Sequence, residues 1–104
     1  MQDDYGPEAD AARRLERDQR SERERQQDAD DLKWLMNDAR GRRLTHKQLS
    51  SCGVFRPSYA AGDPYQTAFN EGNRNAGLRL LADVTSTTPE QYALMLREAN
   101  HDHS

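Results

Sequence analysis

The chain has 104 residues, of which 34% are hydrophobic and 32% are charged, so it can hold one small domain with a small core. Its net charge is −3, and its single cysteine, Cys52, excludes an internal disulfide. No apolar run reaches the roughly 18 residues that a membrane helix needs, and the N-terminal residues lack a signal-peptide core. We therefore expect a soluble protein, made in a cytoplasm, with no membrane partner.

The charges are unevenly distributed along the chain. Residues 1–31 carry eleven acids and six arginines, residues 32–57 carry six Lys or Arg and one acid, and residues 58–104 carry six acids and three arginines. A basic belt between two acidic ends favours self-association or a local anionic contact over the coating of a long polyanion.

The large apolar side chains are concentrated after residue 31. This contrast predicts a charged N-terminal arm over residues 1–30, a helical domain over residues 31–100 and a polar tail over residues 101–104. The arm is rich in good helix formers but has no apolar stripe, since Leu15 stands alone. Its composition predicts a solvated, partly formed helix, and an arm that becomes ordered on a partner surface is the alternative.

The next helix is predicted to begin at Asp30 or Asp31 and to end at Gly41. Its apolar residues follow the i, i+3, i+4, i+7 spacing of one helix face: Leu32, Leu35, Met36 and Ala39. Trp34 lies off this face. We expect it to be buried against a second helix, and a contact surface is the alternative.

A two-turn helix is predicted in the segment LTHKQLSSCG. Thr45 and Gln48 have the spacing of a capping box, and Leu44 can contact Leu49 as a hydrophobic staple. Gly53 suits the left-handed position that follows a helix C-terminus.

After an irregular linker over residues 54–62, a long helix is expected over residues 63–84. Asp63 can cap it, and Pro64 fits its first turn. At 100° per residue, one face carries Phe69, Gly72, Ala76, Leu80 and Val84. The small residues Ala68, Gly72 and Ala76 suit the close approach of another backbone. We predict that this backbone belongs to the same chain, and a subunit or partner helix is the alternative.

The segment Thr85–Thr87 is predicted to end the long helix, and Thr88 with Pro89 starts the last one. The apolar face of the last helix comprises Tyr92, Met95, Leu96 and Ala99. No alternating β pattern is visible. The predicted fold class is therefore all-α: a small three- to four-helix domain with a charged, extended or helical N-terminal arm.

Residues suited to metal binding or catalysis are few. The histidines His46, His101 and His103, together with Cys52, lack the spacing of a structural zinc site. No glycine-rich phosphate loop or cofactor fingerprint occurs. We predict no catalytic residue, no metal and no cofactor, and a protein that is not an enzyme.

Protein–protein contacts are predicted on the small-residue helix face and at its polar border. Polar groups beside a small face can fix how two helices meet, and an off-stripe tryptophan can mark a contact surface. The predicted interaction residues are Ala68, Gly72, Ala76, Asn73, Arg74 and Trp34.

Contact with nucleic acid is the competing hypothesis. The residues that could contact phosphate are Lys33, Arg40, Arg42, Arg43 and Lys47. The segment LTHKQLSSCGVFRPSY resembles a degenerate helix-turn-helix, but Pro57 lies early in what would be the recognition helix. This pattern favours phosphate contact without base readout.

Three segments of the chain resemble a family of small phage proteins: DLKWLMNDARGRR, TAFNEGNRNAGLRLLADV and TPEQYALMLREA. The family is named after a protein of a short-tailed Bordetella phage and occurs in related podoviruses and prophages. The resemblance covers residues 31–99. Its densest positions are Phe69, Asn70, Glu71, Gly72, Arg74, Gly77, Leu80, Leu81, Pro89, Tyr92, Met95 and Glu98.

The resemblance implies a virion protein encoded among the head and portal genes, without established enzymatic activity, and it assigns no functional residues. The leading hypothesis is a non-enzymatic structural or assembly protein of the virion, synthesised in the host cytoplasm, that acts through helix-mediated contacts. Its expected partners are portal or capsid components, and a homo-oligomer is a further alternative. The competing hypothesis is a phage protein that contacts DNA non-specifically through its basic belt.

Overall fold

The computed structural model describes residues 6–102. It contains four helices: α1 (Pro7–Met36), α2 (Ala39–Ser51), α3 (Pro64–Thr87) and α4 (Pro89–Asp102). No strand occurs in this part of the chain, so the predicted all-α fold is confirmed. The chain divides into two compact units, the first ending at Asp31 and the second beginning at Leu32.

The first unit consists of the charged part of α1. Almost all of its side chains are exposed, and ion pairs at i,i+3 join Asp10 to Arg13 and Glu22 to Arg25. The Glu22 carboxylate accepts a hydrogen bond from Arg25, and this bond, more than the charge of Glu22, raises the pKa of the guanidinium. The predicted solvated helix is present, and it is continuous from Pro7 instead of partly formed. Exposed pairs of this kind contribute little to stability.

The boundary between α1 and α2 differs from the prediction. No helix begins at Asp30 or Asp31, because α1 runs through both residues to Met36. The chain breaks instead at Asn37 and Asp38. The Asp38 carboxylate caps α2 by accepting a hydrogen bond from the backbone N–H of Arg40 at 2.9 Å. An aspartate in an extended conformation is a strong helix start, and it overrides the stop signal that Gly41 presents.

Three further predictions for this region are wrong. Gly41 lies inside α2 and is buried there, so it does not end a helix. Thr45 is also inside α2, where its hydroxyl donates a hydrogen bond to the Gly41 carbonyl at 2.8 Å, so it caps nothing. Leu44 points to solvent and makes no staple. The pattern of a capping box can therefore occur in mid-helix when a better start lies one turn upstream.

The C-terminus of α2 forms as predicted. Gly53 has a φ of 78°, its N–H donates to the Ser50 carbonyl at 3.0 Å, and the Val54 N–H donates to the Leu49 carbonyl at 3.2 Å. These two bonds make a Schellman motif, which satisfies carbonyls at the helix end and needs a left-handed residue. The chain then runs irregularly to Asp63, as predicted.

Helix α3 begins where the sequence predicts, with the Asp63 carboxylate accepting from the Gln66 N–H at 2.9 Å. It does not break at Thr85–Thr87. The Thr85 hydroxyl donates to the Leu81 carbonyl of its own helix at 2.8 Å, so this residue is accommodated in the last turns. The helix ends at Thr88, because a residue before proline avoids the helical conformation. Helix α4 then extends to Asp102, which takes it into the predicted polar tail.

The core of the second unit is small. Helix α2 packs against α3 and α4, and α3 packs against α4. Among the described residues, four large apolar side chains are fully buried, and Cys52 and Val54 are nearly so. The four are Met36, Leu49, Val84 and Met95, and the partly buried residues around them are Leu32, Leu78, Leu80, Leu81, Tyr92 and Leu96. The predicted face of α4 is thus largely confirmed.

Candidate interaction surfaces

The side of α3 that packs against the rest of the domain agrees with the predicted face at Leu80 and Val84 but not at Phe69, Gly72 and Ala76. Gly77 and Val84 are the buried residues of this helix. A Cβ atom added to Gly77 would lie 2.6 Å from Cys52 Cβ and 2.6 Å from Val54 Cγ2. The close approach predicted for a small residue therefore occurs at Gly77. Alanines and glycines give little apolar contrast around a helix, so Phe69, Gly72 and Ala76 were assigned to the packed face although they are exposed.

The opposite side of α3 is exposed and partly apolar. Tyr65 is 88% exposed and Phe69 is 68% exposed, and no atom lies within 4 Å of a Cβ built on Gly72. At 100° per residue, the residues of this side lie within an arc of about 80°. We call it the outer face of α3, and its residues are Tyr65, Phe69, Gly72, Ala76, Arg79 and Asp83, all exposed.

These exposures rule out one of the two alternatives for the small residues. The predicted packing of Ala68, Gly72 and Ala76 within the chain is wrong, because all three are exposed. Contact with a partner helix stays a prediction. Large exposed aromatic residues next to small ones are typical of surfaces that bind other proteins.

The other predicted interaction residues lie elsewhere. The Asn73 side-chain amide donates to the Ser51 carbonyl at 3.2 Å, so it ties α3 to the end of α2. Arg74 is partly buried, and its Nε atom has no hydrogen-bond partner within the described residues. Trp34 is 77% exposed, so its predicted burial is wrong and only its alternative as a contact residue stays open.

Arg42 is held inside the fold. Its Nε donates to a Glu98 carboxylate oxygen at 2.6 Å, and its NH1 donates to the Met36 carbonyl at 2.9 Å. The side chain of Arg42 is 11% exposed and that of Glu98 is 32% exposed. This ion pair joins α2 to α4. The same Arg42 side chain also provides a hydrogen-bond donor for the carbonyl of Met36, the last residue of α1. Arg42 is therefore not on the surface, and its predicted role in phosphate contact is wrong.

The other four residues predicted to contact phosphate are exposed. They are Lys33, Arg40, Arg43 and Lys47. The last three share one side of α2, a helix without any Asp or Glu of its own. Beside them, a groove of about 400 Å³ runs between α2 and α4, with the ion pair of Arg42 and Glu98 in its wall. This side of α2 presents a concentrated positive charge to solvent.

The segment that resembles a helix-turn-helix does not form that motif, as the position of Pro57 predicts. Because the chain is irregular from the end of the Schellman motif to Asp63, no recognition helix follows α2 at the spacing of that motif. Phe55, which would lie in it, stacks on His46 with ring centroids 5.4 Å apart and ring planes 22° apart. Any nucleic-acid contact by this region would therefore involve phosphates and not base edges.

The structure offers little for catalysis or metal binding. Between residues 6 and 102, no three His, Cys, Asp or Glu side chains are close enough together to hold a metal ion. Cys52 is buried against α3, and His46 is stacked on Phe55. His103 lies outside the described residues. None of the described helices has the length and apolar character needed to cross a lipid bilayer.

Comparison with known proteins agrees with the resemblance in the sequence. The family model described as Bbp19-like phage protein matches residues 32–97, which includes α2, α3 and most of α4. Searches of curated proteins and of solved structures found no significant match. Since the family model covers more than half of the chain, this protein belongs to the family of Bbp19-like phage proteins.

Proposed function

We propose that this phage protein is a non-enzymatic structural or assembly component of the virion, in the head or portal region. It is synthesised in the host cytoplasm and binds other virion proteins, such as portal or capsid components. The observation that carries the proposal is the outer face of α3, on which two aromatic side chains and the Gly72–Ala76 patch are exposed.

The size of the core supports the same proposal. The second unit buries few large side chains, so contact with another protein would add apolar burial that the domain lacks on its own. The first unit is a solvated helix, which gives the chain a long polar surface for additional contacts. Both features are suited to binding proteins and neither is suited to catalysis.

Mass spectrometry of purified particles tests this function. We expect peptides of this chain in mature virions or in assembly intermediates of the phage that encodes it, and copurification with head or portal proteins. Its absence from both, while the protein is made in infected cells, would contradict the proposal.

A second candidate function is non-specific contact with DNA. The exposed basic residues on one side of α2 favour it, because Arg40, Arg43 and Lys47 face solvent without a carboxylate on the same helix. Neutralising about three phosphates would give an affinity that falls steeply with salt, with a slope of about −3 in log K against log salt.

Charge reversal tests the DNA candidate. Arg43→Glu should weaken binding to duplex DNA about tenfold in fluorescence anisotropy, because an attractive phosphate contact becomes repulsive. Arg97→Glu, at an exposed site on α4, makes the same change in net charge and serves as the control. An affinity independent of salt, or an equal loss in both variants, would reject a DNA-binding face on α2.

A further inference from the structure

The outer face of α3 has the spacing of a coiled-coil seam. Its six residues are separated by alternating steps of four and three, from Tyr65 to Asp83. This is the 3.5-residue repeat that keeps one face of a helix against a neighbouring helix. The seam spans about 27 Å along the helix axis, and no other element of the described chain covers it, since all six residues are exposed.

We propose that the outer face of α3 pairs with the same face of a second copy of this chain, with the two helices antiparallel. This proposal deepens the proposed function. It rests on the outer face being a protein contact, and it names the partner at that contact.

The residues of the seam are complementary to each other when the second helix runs in the opposite direction. Antiparallel seams bring each first position of the repeat opposite the second position of the partner. Phe69 then lies opposite Arg79 of the second copy, which allows a cation–π contact. Tyr65 lies opposite Asp83 of the second copy, where its hydroxyl can donate a hydrogen bond to the carboxylate.

The centre of the seam suits a close crossing. Gly72 lies opposite Ala76 of the second copy, and the two-fold axis repeats this contact. With a hydrogen atom facing a methyl group, the helix axes can approach to about 8 Å, the lower end of the usual range. Gly72 packs against nothing within its own chain. In the dimer it would pack against Ala76 of the second copy.

A parallel arrangement is disfavoured by charge. It would place Arg79 opposite Arg79 and Asp83 opposite Asp83, and like charges at an interface are repulsive. It would also leave the aromatic residues at one end without their cationic and anionic partners. The distribution of charge along α3 therefore selects the antiparallel pair, which is also a closed two-fold dimer.

Sedimentation of the full chain tests the pairing. The wild type should form a dimer of twice its 11.9 kDa mass. Ala76→Glu should raise the dimer Kd about a hundredfold or more, because it places an unpaired carboxylate in the centre of the seam. Ala82→Glu makes the same change at an exposed site of α3 outside the outer face and should leave the Kd unchanged.

Disulfide trapping tests the direction of the pair. In an equimolar mixture of the Gly72→Cys and Ala76→Cys chains, the antiparallel register should give mainly the mixed disulfide. Homodimeric disulfides at both positions, in excess over the mixed one, would overturn the antiparallel arrangement. A monomeric wild type at all soluble concentrations, or equal effects of Ala76→Glu and Ala82→Glu on a dimer, would overturn the pairing itself.

These outcomes are separable from the test of the proposed function. A chain that is monomeric in solution but present in particles would refute the self-pairing and leave the virion role intact. A chain that dimerises in solution but is absent from particles and assembly intermediates would refute the virion role and leave the self-pairing intact.

Discussion

Gly41→Ala is expected to destabilise the second unit by about 3 kcal/mol or more, at the upper end of the range for overpacking. A Cβ atom at this position would overlap the Leu35 carbonyl oxygen and would lie 2.8 Å from the Leu35 carbonyl carbon. Both are backbone atoms, so a side-chain rotation cannot relieve the overlap. We would measure the effect by urea unfolding followed by circular dichroism.

The surroundings of Leu35 explain why the overlap cannot be relaxed easily. The next residue, Met36, is fully buried, and its carbonyl accepts a hydrogen bond from Arg42. Moving the end of α1 away from α2 would therefore disturb the core and this bond together. A unit of this size has a total stability of about 4–11 kcal/mol, so the variant loses much of it.

Gly72→Ala is the matched control for this prediction. It is the same substitution within a helix, but nothing lies within 4 Å of the added methyl group. At a concentration where the chain is monomeric, we expect it to raise the free energy of unfolding by up to about 1 kcal/mol, through helix propensity alone. If Gly41→Ala were also stabilising, the close contact between Gly41 and the Leu35 backbone would be contradicted.

The second large effect is expected at the ion pair between α2 and α4. Arg42→Met should lower the free energy of unfolding by about 2–3 kcal/mol. It leaves the Glu98 carboxylate without its cation and the Met36 carbonyl without its donor. The partial exposure of Glu98 keeps the loss below that of a fully buried pair. Thermal and urea unfolding would both report it.

The neighbouring Arg43 supplies the control for Arg42. Arg43 is exposed, so Arg43→Met should change the stability by no more than about 0.5 kcal/mol. A double-mutant cycle of Arg42→Met with Glu98→Gln should show a coupling between the two sites. Equal losses for Arg42→Met and Arg43→Met, without coupling to Glu98, would contradict the role of the ion pair.

The parts of the fold that the sequence predicts well depend on local chemistry. Asp63 followed by Pro64, and Thr88 followed by Pro89, determine where α3 and α4 begin. The left-handed Gly53 likewise ends α2. In each case the capping group or the restricted backbone lies within a few residues of the boundary, so no knowledge of tertiary contacts is needed.

The parts that the sequence does not predict depend on contacts between distant residues. In the sequence, Gly41 resembles a glycine that ends a helix. In the structure, the lack of a side chain at Gly41 allows the Leu35 backbone to lie close to it. Arg42 has the appearance of a surface residue of a basic belt, but Glu98, 56 positions away, holds it inside the fold. Neither role leaves a signal in the nearby sequence.

The orientation of α3 was unpredictable for a related reason. Its two sides differ little in hydrophobicity, because Phe69 is on the exposed side and Arg74 is on the partly buried side. The contact of Gly77 with Cys52 and Val54 decides which side packs. The small residues Gly72 and Ala76 were therefore assigned to an inner face, whereas the structure exposes them.

In the proposed function, this phage protein acts by presenting the outer face of α3 to another protein chain. Photo-crosslinking in assembled particles tests it most directly, with benzoylphenylalanine in place of Phe69 and, as control, in place of Ala82. We expect adducts to a second copy or to another virion protein from position 69, and far fewer from position 82. Particles that contain the chain but yield no adduct from position 69, or equal yields from both positions, would contradict it.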